Sequence, residues 1–333
     1  MRTASRASYG FTWTGDPRPP SDDRAVAHLS RAGEAAAMSA SPRPSVRQRR
    51  LAAELRRMRE QYGLTGDDVA DRLRWSTAKV SRIENARTGA KIADVRLLLD
   101  LYEIGGPRRE EIVALARDAA ERGWWEEYRD LIGGYPDYIA MEAEASLIRQ
   151  WETHTVPGLL QTEAYAREVV SGWNTIAATP PREIDRRVEV RMRRQGILRR
   201  EPGPAELWIV VDESVLWRLV GDESVMAHQI SHLSTLMELP NVRLQIFPLN
   251  APHPLMEGSF TLLEFADFHD VTFPDIVHTE SLAVSHFEDE VTTHLYRLAH
   301  ATLAEAALDP AESRSFIAEI LHAWQEKIPD RGL

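Results

Sequence analysis

The stretch LTGDDVADRLRWSTAKVSRIENART, residues 64–88, leaves a chain few ways to fold. Its apolar residues Val69, Leu73, Val80 and Ile83 fall at the offsets needed by two short helices that cross steeply over a tight turn. Thr65 predicts the N-cap of the first helix, and Asp67 and Asp68 sit in its first turn, where negative charge favours the helix dipole. Arg74 and Trp75 make the turn, and Ser76 caps the second helix, which runs to about Asn85. Ala70 puts a small side chain where the second helix must cross the first. Such a pair presents the start of its second helix outward, free to enter the major groove of DNA.

The flanks complete the unit. Leu51, Leu55, Met58 and Tyr62 recur at helical spacing from Val46 onward, and Gly63 ends that helix. A polar loop, ARTGAK, leads to Ile92–Tyr102, where Val95, Leu98, Leu99 and Tyr102 repeat in the same way. Gly105-Gly106-Pro107 closes a helix-turn-helix domain at 45–106. A fifth helical stretch, from Arg108 to about Glu127, is predicted to join the domains, so 107–145 reads as connecting helices. Beyond it the pattern mixes strands with amphipathic helices. Strands are predicted at Leu207–Val211, Val242–Phe247, Ser259–Phe265 and Ile276–Thr279. Long helices are predicted at Arg182–Leu198, Ser224–Glu238, Glu288–Ala307 and Ala311–Lys327. The expected fold is an all-α five-helix helix-turn-helix domain followed by a larger α+β domain at 146–333. Residues 1–44, with PRPP and SPRPS, have the composition of a disordered extension. Met38 offers a second start of translation just ahead of the first helix.

Charge divides the chain in the same place. The whole protein carries −11, yet residues 43–91 hold 13 Lys and Arg against six acids, a net +7. The remainder therefore carries −18. A basic block in an acidic chain is the electrostatic footprint of one localised nucleic-acid-binding module. There are no cysteines, which excludes a disulfide framework, a thiolate metal site and a thiol nucleophile. No apolar run reaches the roughly 20 residues of a membrane span, and the amino terminus lacks the apolar stretch of a secretory signal. A cytoplasmic protein with no membrane partner is expected.

Residues 64–88 resemble the lambda-repressor or Xre class of helix-turn-helix regulators. Ser76, Thr77, Ala78 and Lys79 start the second helix within reach of base edges, and Arg82, Asn85 and Arg87 follow for phosphates. The resemblance implies base-reading places for Thr77, Ala78 and Lys79 and a phosphate contact for Asn85; Thr65 completes the expected DNA-binding set, with double-stranded DNA as partner. Three positions depart from the class. Gly66 and Thr77 stand where Gln is usual, and Arg74 stands where Gly accommodates a left-handed backbone.

A second resemblance covers most of the remainder. WWEEYRDL (124–131), EAEASLIRQWETHTVPGLLQTEAYAREVV (142–170), RMRRQGIL (191–198), VDESVLWRLVG (211–221), PNVRLQIFPL (240–249) and GSFTLLEF (258–265) are similar to the carboxy-terminal domain of actinobacterial Xre regulators of the Scr, toxin–antitoxin antitoxin-like type. That resemblance implies a transcriptional regulator controlled by a small partner protein encoded nearby, or by a ligand. The alternatives are an antitoxin that mainly sequesters its neighbour and an enzyme fused to a DNA anchor. Repressors of the class meet two half-sites as homodimers, although no coiled-coil seam is visible. The Arg-rich segment 182–200 reads as a solvated face, an internal ion-pair network or a docking surface, with Arg187, Arg191 and Arg194 as the candidate partner contacts. His228 and His232, four residues apart, lack a third ligand. Glu142, Glu144, His154 and Glu280 have no spacing that supports acid–base chemistry. No catalytic, cofactor or metal residues are assigned, and no enzyme activity is expected.

Overall fold

The computed structural model describes residues 44–121, 123–128, 130–131, 135–175, 178–201, 203–266, 274–280, 285–287 and 290–328; all but the last residue of the 1–44 extension lie outside them. The first domain is built from α1 (Val46–Gln61), α2 (Gly66–Leu73), α3 (Thr77–Glu84), α4 (Ile92–Leu101) and α5 (Gly106–Ala120). Local chemistry sets the first three starts. Ser45 accepts the Gln48 amide while Gln48 reaches back to the Ser45 amide; Thr65 and Asp68 repeat that box, and the Ser76 hydroxyl accepts the Lys79 amide. Each such cap contributes about 1 kcal/mol. The helices then close over Leu51, Leu55, Met58, Val69, Val80, Ile83, Val95, Leu98 and Leu99.

The fifth helix corrects one expectation. Residues 108–127 do not form a connector: α5 stops at Ala120, and Ile112, Val113, Leu115, Ala116 and Ala119 lie in the core of the first domain. Those side chains form an apolar stripe at helical spacing, which is stable only when covered. The packed unit therefore extends past residue 106, and Trp124–Tyr128 is a separate 3-10 turn.

The second domain surrounds a six-stranded sheet of β1 (Leu147–Glu152), β2 (Glu206–Asp212), β3 (Val242–Phe247), β4 (Phe260–Glu264), β5 (Ile276–Glu280) and β6 (Ser285–Phe287). The order is β3-β2-β1-β4-β5-β6, with β1, β2 and β3 parallel and β4, β5 and β6 joined antiparallel. The helices are α6 (Tyr135–Glu142), α7 (Glu163–Ser171), α8 (Pro181–Arg194), α9 (Glu213–Trp217), α10 (Glu223–Leu236), α11 (Glu290–Ala306) and α12 (Pro310–Gln325). Strand alternation feeds two cores. Ile148, Leu207, Ile209, Val211, Leu244 and Ile246 meet Ile230 and Leu233 of α10 and Ile317 and Trp324 of α12. Trp151, Val210, Phe247 and Phe260 turn to the opposite face, beneath Leu303 and Ala304 of α11.

The first turn of α1 joins the two domains. Val46 is fully buried within the core of the second domain. Arg47 forms an ion pair with Glu144 at 2.6 Å, and Arg50 donates to the Ala266 carbonyl at 2.8 Å.

Candidate nucleic-acid interface

The turn between α2 and α3 is held by its backbone. Trp75 donates its amide to the Ala70 carbonyl at 2.8 Å, and Arg74 adopts φ 54°, ψ 41°. A left-handed non-glycine residue costs roughly 1–2 kcal/mol, so the turn carries a small strain that the capped helices on either side absorb. Ala70 is buried at the crossing. Gly66 is not required sterically, because a β-carbon there would meet only Val80, at an ordinary 3.9 Å.

From that turn α3 projects Ser76, Thr77, Ala78, Ser81 and Arg82 into solvent. Arg87, just beyond the helix, is exposed too. The other expected site residues divide differently. Thr65 is occupied by its capping box, its hydroxyl 2.6 Å from Asp68, and that contact together with the Thr65 amide holds the Asp68 carboxyl below the usual range. Asn85 folds back on its own helix, donating to the Ser81 carbonyl at 2.7 Å. Lys79 departs furthest from a base-reading place. Its ammonium lies 2.7 Å from Asp94 and 3.6 Å from the centroid of the Trp75 ring, which ties α3 to α4.

Pairing also sharpens the charge pattern. Arg56 pairs with Glu60, Arg57 with Glu54, Arg59 with Glu84 and Lys79 with Asp94. Arg74, Arg82, Arg87 and Lys91 are exposed and form no ion pair among the described residues. Together with Arg72 at the end of α2, they place exposed, unpaired positive charge around the turn, the recognition helix and the loop after it, where phosphates would flank an inserted α3.

Sequence reasoning missed the brace behind α3. Arg59 of α1 donates from Nε and Nη2 to the two Glu84 carboxylate oxygens, at 2.8 and 3.0 Å, and from Nη1 to the Leu64 carbonyl at 2.7 Å. Nothing local marks a partnership 25 residues apart. The same is true of Glu54, fully buried between Arg57 and Arg108, which fastens α1 to α5.

In the second domain, the Arg-rich α8 engages Arg186, Arg187, Arg193 and Arg194 in ion pairs within the protein, the internal network among the three readings of segment 182–200. Arg186 grips Asp130 through two bonds, at 2.6 and 2.9 Å, and Arg187 pairs with Glu183 one turn away. Arg194 is buried and bidentate to Glu142, at 2.7 and 2.6 Å, with Tyr138 donating to the same carboxylate. Arg191 is half-buried, and its Nη1 has no hydrogen-bond partner. The physical reason is proximity: α6 and the 124–131 segment bring Glu142 and Asp130 against a helix whose own sequence shows only its cations. His228 donates from Nδ1 to the Ser224 carbonyl at 2.7 Å, and the described residues hold no group of three His, Cys, Asp or Glu side chains arranged for a metal ion. No described helix is long and apolar enough to cross a membrane.

A capped helix pair with a left-handed turn and an exposed, cation-flanked second helix defines a helix-turn-helix DNA-binding domain. Residues 50–112 match the helix-turn-helix domain family. Residues 135–319 match a domain of unknown function (DUF5753), and over that span, more than half its length, the chain belongs to the DUF5753 family. No curated protein and no solved structure matches the chain.

Proposed function

We propose that this protein is a sequence-specific transcriptional regulator of the Xre type, in which α3 enters the major groove and the second domain responds to a small partner protein or ligand. The observation that carries the reading is the exposed start of α3, with Ser76, Thr77 and Ala78 facing outward and the unpaired cations Arg74, Arg82, Arg87 and Lys91 around it. In this reading Ser76, Thr77 and Ala78 meet base edges, whereas Arg74, Arg82, Arg87 and Lys91 meet phosphates. Lys79 orients α3 through Asp94. Two copies would address half-sites about one helical turn apart. The seam of Val46, Arg47 and Arg50 supports the link between domains, because α1 belongs to the DNA-binding core and yet is seated on the second domain.

The test is binding of the full chain to duplex DNA selected from a random pool, measured across salt concentration. Four phosphate contacts predict a log–log slope of about −3 to −4 per protomer, at about −0.9 for each. A flat salt response, or equal affinity for selected and random duplexes, refutes the proposal.

A further inference from the structure

An open cleft of about 210 Å³ lies in the second domain where α6, the 3-10 turn 124–128 and the end of α8 meet. Its apolar walls include Trp124, Ile139 and Ile197, and its polar groups are Glu142, Arg193, Arg194 and Arg200. Glu142 is already matched by Arg194. Arg193 lies 4.7 Å from the Trp124 ring centroid, and its only ion-pair partner among the described residues is the exposed Glu127, at 3.6 Å. Arg200 is half-buried and forms no ion pair among the described residues; it is held instead by the carbonyls of Gly203, Ala143 and Ala145. Three carbonyls orient a guanidinium without cancelling its charge. Burial pulls Arg200 below the usual guanidinium range, by more than the neighbouring Glu144 carboxylate, itself paired with Arg47, holds it up.

From this arrangement we infer that the cleft is a binding site for a small amphiphilic anion, a planar apolar body carrying one carboxylate or phosphate. The head group would sit between Arg193 and Arg200, and the body against Trp124, Ile139 and Ile197. The volume is below the roughly 300–1,000 Å³ of drug-sized sites, which limits the ligand to a small molecule. The location suits a signal. Ala143 and Ala145, whose carbonyls hold Arg200, flank Glu144, and Glu144 holds Arg47 of the DNA-binding domain at 2.6 Å. The inference rests on the proposed role of the second domain as the sensing half of a regulator.

The experiment is calorimetric titration of the full chain with benzoate, phenyl phosphate, inorganic phosphate and the uncharged benzamide. Benzoate or phenyl phosphate is expected to bind saturably, with benzamide and inorganic phosphate each at least tenfold weaker. Gly196 lines the cleft and has no atom within 4 Å of where a β-carbon would stand, so Gly196→Met should obstruct the site without disturbing the fold. Arg193→Gln should weaken anion binding about tenfold or more, and Arg200→Gln should weaken it further. If Arg200→Gln fails to fold, the other two variants, checked by their melting curves, carry the test. No saturable binding by either organic anion overturns the inference. So does equal binding of benzamide or inorganic phosphate, or binding unchanged by Gly196→Met. DNA binding by the same unliganded samples is measured in parallel. Its persistence alongside failed anion binding rejects the cleft alone, and its absence rejects the regulator reading.

Discussion

Glu84→Ala should release the recognition helix. In the folded protein Arg59 satisfies both Glu84 oxygens and the Leu64 carbonyl, and the two side chains keep only 12% and 9% exposure. Removing one partner of a buried ion pair costs about 3–5 kcal/mol, because the other charge is left without compensation. The residual exposure and the retained Leu64 bond put this case near the lower end, at about 3 kcal/mol. The pair itself contributes less than that, since replacing both members by apolar side chains of similar size is often close to neutral. Arg59→Met combined with Glu84→Leu should therefore recover most of the loss. Hydrogen exchange of the α3 amides in the full chain reads the effect locally. About 3 kcal/mol corresponds to roughly two decades in exchange rate, and DNA affinity should fall with it. If α3 exchanges no faster in Glu84→Ala, or the double variant is as labile as the single one, the brace is not what holds α3 in place.

Arg82→Ala and Arg87→Ala should each weaken selected and random DNA alike and reduce the salt slope by about 1, as read by fluorescence anisotropy across salt. Lys79→Ala should also act on all sequences equally, because its ammonium is held by Asp94; a change of base preference at one operator position would show that Lys79 leaves Asp94 to reach a base. His300 is buried, hydrogen-bonded to the Trp208 carbonyl and held at a pKa of about 4, first by burial and then by Arg149. Its folded pKa lies below the ordinary value of about 6.5, so as pH falls through that window the unfolded chain takes up a proton that the folded chain refuses. Stability should drop by about 2 kcal/mol between pH 7 and pH 5 and level off below pH 4. Urea midpoints should show this in the wild type and a flatter profile in His300→Gln. Arg194→Ala should destabilise the second domain by about 3 kcal/mol or more by stranding the buried Glu142, seen as a lower melting temperature in the absence of any partner.

The helix-turn-helix was legible because its determinants are local. A cap is a bond across three residues, as between Ser76 and the Lys79 amide, and the apolar offsets of Val69, Val80 and Ile83 follow from helix periodicity alone. Four of the six strands were legible for the same reason. β1 was not, since Leu147–Glu152 interleaves Arg149, Gln150 and Glu152 with its apolar residues; Gln150 donates to Glu152 within the strand, and Arg149 is matched by Glu264 of the distant β4. The order of the sheet, the burial of α5 and the anchoring of α1 on the second domain all depend on contacts between distant segments. Charge shows the division most sharply. The chain by itself determines that 13 cations lie between residues 43 and 91, but only the tertiary structure decides which of them are free. Arg59 and Lys79 meet carboxylates 25 and 15 residues away, whereas Arg82 and Arg87 face solvent. Whether a charge is offered to DNA depends on what stands opposite it in space, and a linear pattern carries no record of that.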